Sequence, residues 1–162
     1  MTQPVKTEEN IMKVSDYLNE NFCAMEIKSQ DKEGIIKEII QKLVPGDKII
    51  DQEVFIKDVL EREALGSTAI GNNVAIPHAR TDAVKGFVIG FGRSVQGVDF
   101  KSLDGAKVNL IFLMGADPSE LSLYLRLLAE LSKLLMNSAF RKELILANTA
   151  GEVIQIIKRF ER

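Results

Sequence analysis

At 162 residues the chain has the size of one ordinary domain, and apolar side chains make up 46% of it, enough for a real core. A formal net charge of −2 supplies no basic field for nucleic acid. One cysteine excludes an internal disulfide, and one histidine far from it in sequence makes no zinc site.

Residues 1–12 read as a flexible N-terminal tail, polar and without the apolar stretch of a signal peptide. Residues 13–162 read as a single domain. Phe22 to Ile27 suits a strand, and Cys23 within it reads as a small buried hydrophobe. Asp31 is placed to cap a helix carrying Ile35, Ile36, Ile39, Ile40 and Leu43 at helical spacing, and Pro45-Gly46-Asp47 ends it. Asp51 is placed to cap a second helix with Val54, Phe55, Val59 and Leu60 inward, ending near Gly66. A turn-rich extended region follows, then strands over Gly86 to Val95 and Val108 to Met114. The second is a continuous apolar run, as in a sheet covered on both faces.

Pro118 fits the first turn of a helix whose Leu121, Leu125, Leu128, Leu131, Leu134 and Leu135 make a wide apolar face suited to core packing. Ser138 to Leu146 reads as a short helix, and Thr149-Ala-Gly-Glu152 reads as a capping box opening the last one. The order of elements predicts an α/β sandwich, a mixed β-sheet flanked by α-helices. No apolar run approaches the roughly 20 residues of a spanning helix. The expectation is a cytoplasmic protein with no stable membrane insertion.

The chemistry lies between Leu60 and Arg80. Arg62 falls near a helix end, and Gly66-Ser67-Thr68 supplies a turn with two hydroxyls and backbone donors. Gly71-Asn72-Asn73 signals a tight turn, and Pro77 biases Ile76 to an extended shape. His78 follows, held at the end of a rigid segment. A nucleophilic imidazole needs one bare ring nitrogen and a second whose hydrogen bond fixes the tautomer. Guanidinium, hydroxyl and N–H donors are what a transferring phosphoryl group needs beside it. Arg80 and Arg93 read as solvated charges with a possible place on a docking face, Glu61 and Glu63 as an exposed helical face, and Phe87 and Phe91 as strand core.

The pieces Leu60-Glu61-Arg62-Glu63, Gly66-Ser67-Thr68, Ile70-Gly71-Asn72 and Ala75-Ile76-Pro77-His78 together resemble a known signature. It is that of the type-2 enzyme IIA family of the bacterial phosphoenolpyruvate-dependent phosphotransferase system. This is the fructose/mannitol class, which includes the nitrogen-regulatory IIA proteins. The Leu-rich helix followed by Ser138-Ala-Phe-Arg141 and Thr149-Ala-Gly-Glu-Val-Ile154 is similar to the family's C-terminal half. The resemblance implies that His78 accepts phosphate on Nε2 from an HPr-type phosphocarrier protein. It implies that Arg62 holds the phosphoryl oxygens, that Ser67 and Thr68 lie where phosphate donors are expected, and that no cofactor or metal enters the step.

Members of that family commonly carry a second His near the start of the long helix. Here Tyr124 matches the position by the leucine pattern, or Leu121 if the register slips by a turn. A phenol donates a hydrogen bond but does not become a cation near neutral pH. The sequence shows no IIB or IIC domain. Two readings of different class follow. The chain relays phosphate to a IIB partner, or it is a regulatory module whose phosphorylation state selects the target protein that docks.

Overall fold

The computed structural model describes residues 13–162, so the tail expected over residues 1–12 lies outside the described residues. The strands are β1 (Cys23–Ala24), β2 (Ala69–Gly71), β3 (Val74–Ala75), β4 (His78–Arg80), β5 (Phe87–Val98) and β6 (Val108–Ala116). The α-helices are α1 (Lys32–Leu43), α2 (Gln52–Leu65), α3 (Leu121–Leu135), α4 (Ser138–Leu146) and α5 (Ala150–Phe160). The α/β architecture with a mixed sheet is the one the element order predicts.

The sheet runs β1-β5-β6-β3-β2, with β4 lying beside β6 further along the edge that β3 also occupies. The β5–β6 and β2–β3 pairs are antiparallel, whereas β1–β5, β3–β6 and β4–β6 are parallel. Side chains alternate across this sheet. Phe87, Ile89, Phe91, Leu110, Phe112 and Met114 pack with α3, α4 and α5 on one face. Val88, Ile111 and Leu113 pack with α1 and α2 on the other. Two glycines set the closeness of that second layer. A Cβ on Gly92 would fall 2.6 Å from Ile39 Cδ1 of α1, and one on Gly115 would fall 2.7 Å from Phe55 Cε1 of α2.

The caps read from sequence are formed. Asp31 accepts from the Gly34 N–H at 2.7 Å, Asp51 from Val54 at 3.1 Å and Thr149 from Glu152 at 3.1 Å. Glu152 reaches back to the N–H of Asn148 at 2.8 Å, one residue before the cap, so the expected box is shifted. The first strand is shorter than its apolar stretch, because Phe22 closes a 3-10 turn over Glu20–Phe22.

The leucine helix differs from its expectation. Leu131 and Leu135 are core, with Tyr124 and Leu127. Leu121 and Leu125, however, are 41% and 53% exposed. The apolar face is wider than the sheet it covers, and the surplus leucines border a cleft. Phe87, Phe91 and Cys23 are buried as read, and burial pushes the Cys23 thiol up to about 12, leaving it an inert thiol. No helix among the described residues is long and apolar enough to cross a membrane.

Candidate functional site

Helix α2 sorts its residues by period. Phe55, Val59 and Glu63, four apart, face inward, while Asp58 and Arg62, also four apart, face a cleft at the sheet edge. A hydrogen bond from Thr81 Oγ1 to Asp58 Oδ2, 2.5 Å long, ties this helix to the end of β4. It fixes where Arg62 stands relative to the strand.

His78 opens β4 and is gripped on both sides. The Ile76 N–H donates to Thr68 O at 3.1 Å, and the Met114 N–H donates to Pro77 O at 3.0 Å. Asn72 and Asn73 both take positive φ, 56° and 67°, and form the tight turn that brings β3 back beside β2. His78 then pairs with Met114 of β6.

The ring of His78 is half-buried. Its Nδ1 lies 2.7 Å from the Ile76 carbonyl oxygen, which can only accept, so Nδ1 carries the proton and donates. In the neutral ring Nε2 is therefore the bare nitrogen. Burial holds the ring's pKa below its ordinary value. The hydrogen bond to Ile76 opposes that shift, Arg62 adds to it, and Glu63 opposes it. The site thus keeps a reactive lone pair at neutral pH.

The cleft holds about 920 Å³ and is lined by Arg62, His78, Arg80 and Tyr124, with Leu65, Leu121 and Leu125 on its rim. Tyr124 meets His78 edge-on, with ring centroids 5.7 Å apart and planes at 63°. Tyr124 packs on the imidazole, and Leu121 lies on the rim. Burial raises the Tyr124 phenol above its ordinary value, against the opposing pull of Arg80 and Arg62.

Arg62 donates to Gly66 O at 2.9 Å, which holds its guanidinium at the helix end. Ser67 and Thr68 do not line the cleft. Ser67 Oγ donates to Phe100 O at 2.5 Å, and Thr68 Oγ1 donates to a carboxylate oxygen of Glu63. The N–H groups of Gly66, Thr68 and Ala69 are likewise engaged within the loop. The structure therefore brings His78, Arg62 and Tyr124 together and turns the two hydroxyls elsewhere.

Two charges differ from their sequence reading. Glu63 is not an exposed helical residue. It is 5% exposed, pairs with Lys32 at 2.9 Å and receives the Thr68 N–H at 3.2 Å, because the loop after α2 folds back over it. Arg93 is not a solvated charge. It donates to the carbonyls of Leu144, Ile145 and Ala147 at the end of α4. Glu61 does stay at the surface, near Lys57. Among the described residues no group of three or more His, Cys, Asp or Glu side chains is arranged to hold a metal ion.

A tautomer-locked imidazole with guanidinium groups beside it can attack and carry an anionic electrophile. Comparison with known proteins gives that arrangement its class. Residues 16–160 match the family described as phosphoenolpyruvate-dependent sugar phosphotransferase system, EIIA 2, and the chain belongs to this family. It is 36% identical over 151 residues, 93% of its length, to the fructose-specific EIIABC component of Bacillus subtilis, of which it spans only 24%. It is 31% identical over 126 residues to the fructose-specific EIIA component of Haloferax volcanii, covering 78% of this chain and 82% of that one. Among solved structures, the nitrogen regulatory protein IIA-Ntr of Neisseria meningitidis superposes with a TM-score of 0.83 at 26% identity, covering 89% of this chain and 98% of that one.

Proposed function

We propose that this chain carries a phosphoryl group on Nε2 of His78, within a domain spanning residues 13–162. It takes the group from an HPr-type phosphocarrier protein in the cytoplasm and passes it to a IIB partner. The observation that carries this reading is the 2.7 Å contact between Nδ1 and the Ile76 carbonyl. It commits one nitrogen as donor and leaves the other as nucleophile.

In the uptake step the Nε2 lone pair forms the N–P bond while the bond from phosphorus to the donor's leaving atom breaks, and that atom keeps the electron pair. Nδ1 keeps its proton throughout. The developing imidazolium charge is spread toward the Ile76 carbonyl, and Arg62 neutralises the phosphoryl oxygens. Ser67 and Thr68 serve this step by holding the loop that Arg62 caps. The exposed leucines at the rim, with Leu65 86% exposed, provide an apolar ring on which a partner seats around the phosphoryl group.

A second reading is favoured by the likeness to the nitrogen regulatory IIA-Ntr structure. Here the phospho form changes which target protein docks at the same ring, without sugar transport.

Incubation with phosphoenolpyruvate, enzyme I and HPr, read by intact mass, tests the shared chemistry. Wild type gains one phosphoryl group and His78→Ala gains none. No gain by wild type from either a sugar-branch or a nitrogen-branch HPr removes the phosphocarrier reading. Loss of the group on adding a fructose-class IIB favours relay, and retention favours regulation.

A further inference from the structure

We propose that Arg80 is a second phosphoryl-binding guanidinium, joining Arg62 at the group carried by His78. The inference rests on His78 being the phosphoacceptor.

The strand sets the geometry. His78 pairs with Met114 and Arg80 with Ala116, both part of the core on the α3 face, while Ala79 between them pairs with Gly115 on the other face. Residues two apart on a strand leave it on one side. His78 and Arg80 thus project together into the cleft that α3 covers, and both line it. Arg62 enters the same cleft from α2, so the imidazole shares it with two cations carried by different elements.

Tyr124 reports the reach of both. Arg80 and Arg62 each act on its phenol electrostatically, and Tyr124 is the residue in ring contact with His78. Both guanidiniums thus lie near the ring that packs on His78, in the cleft they share.

The state of Arg80 fits a ligand better than a structural role. Arg62 already holds a backbone carbonyl, but Arg80 makes no hydrogen bond or ion pair among the described residues. Two carboxylates also line the cleft, and neither answers Arg80. Asp58 accepts from Thr81, and Glu61 lies with Lys57. A phosphoryl group near neutral pH carries close to two negative charges. Two guanidiniums match that charge, and their planar forks suit its oxygens.

Phosphoprotein is prepared with phosphoenolpyruvate, enzyme I and HPr, freed of them, and titrated by phosphorus NMR as wild type, Arg80→Gln and Arg80→Lys. Removing the charge is expected to raise the phosphoryl pKa by about one unit. It is also expected to slow uptake from HPr by about tenfold. Arg80→Lys restores most of both, and all three proteins melt together because the Arg80 side chain is exposed and makes no hydrogen bond or ion pair among the described residues. Complete loss of uptake in Arg80→Gln, recovered in Arg80→Lys, supports the same conclusion. An unchanged phosphoryl titration in Arg80→Gln overturns the proposal, and slower uptake from HPr alongside it assigns Arg80 to partner docking. A wild-type protein that takes up no phosphate is seen before any variant is compared, and it removes the His78 reading itself.

Discussion

Two of the molecule's clefts have equal volume, about 920 Å³ each, and they differ in what their polar groups are doing. The C-terminal cleft, between α4 and α5, is lined by Glu143, Arg159, Thr149 and Glu152. Several of its polar groups answer one another. Arg159 pairs with Glu143, and Thr149 and Glu152 cap the start of α5. The His78 cleft holds an imidazole with one committed and one bare nitrogen, and a guanidinium, Arg80, that makes no hydrogen bond or ion pair among the described residues. Volume alone does not mark a site. What sets the His78 cleft apart is a nucleophile fixed through one nitrogen, with its other nitrogen bare and cations lining the same space.

The largest expected effect sets the two clefts against each other. Arg62→Gln should slow phosphate uptake by about a hundredfold. Arg159→Gln should leave it at the wild-type rate in the same assay. A comparable loss in both would break the comparison.

Next comes the support beneath the His78 cleft. Glu63→Ala strands Lys32 and the Thr68 hydroxyl, and should lower stability by roughly 2–3 kcal/mol in urea denaturation. Lys32 retains some access to solvent, which softens the loss. A midpoint unchanged from wild type would mean the buried ion pair is not what holds the loop.

Tyr124→Phe keeps the ring against His78 and removes one hydrogen-bond donor. The lifetime of the phospho form should change by about fivefold, the worth of one hydrogen bond. An unchanged hydrolysis rate would leave Tyr124 with a packing role only.

The smallest effect concerns pH. The folded ring of His78 has a lowered pKa, caused first by burial, so between that value and the ordinary value near 6.5 the unfolded chain binds more protons than the folded one. Stability contributed by this group is therefore present above the ordinary pKa and falls as pH drops through that window. His78→Gln should flatten this part of the stability profile. Arg62→Gln, which removes the positive charge that adds to this depression, should move the ring's titration upward.

Much of this was legible in the residue pattern. The caps at Asp31, Asp51 and Thr149 and the α1 stripe are local, set within a turn or two of helix, so periodicity and cap chemistry were enough. The signature around His78 singled out His78 and Arg62, and the structure brings both into one cleft. What it missed depends on residues distant in the fold. Glu63 looks like surface from its helix, and only the returning loop with Thr68 and the Lys32 side chain of α1 makes it buried. Arg93 looks solvated until α4 ends above it, 51 residues later. Ser67 is claimed by Phe100, 33 residues on, a contact no local pattern encodes. The strand period alone places Arg80 beside His78. A reader attending to residues two apart on a short strand could have found it.

The chain has a single histidine, so one ring system reports the central claim without ambiguity. A nitrogen-resolved NMR spectrum of the imidazole, before and after phosphorylation, tests it most directly. The account predicts the proton on Nδ1 in the free protein, and phosphorus coupling at Nε2, with Nδ1 still protonated, in the phospho form. A free protein with its proton on Nε2, or a phosphoryl group coupled to Nδ1, would contradict it.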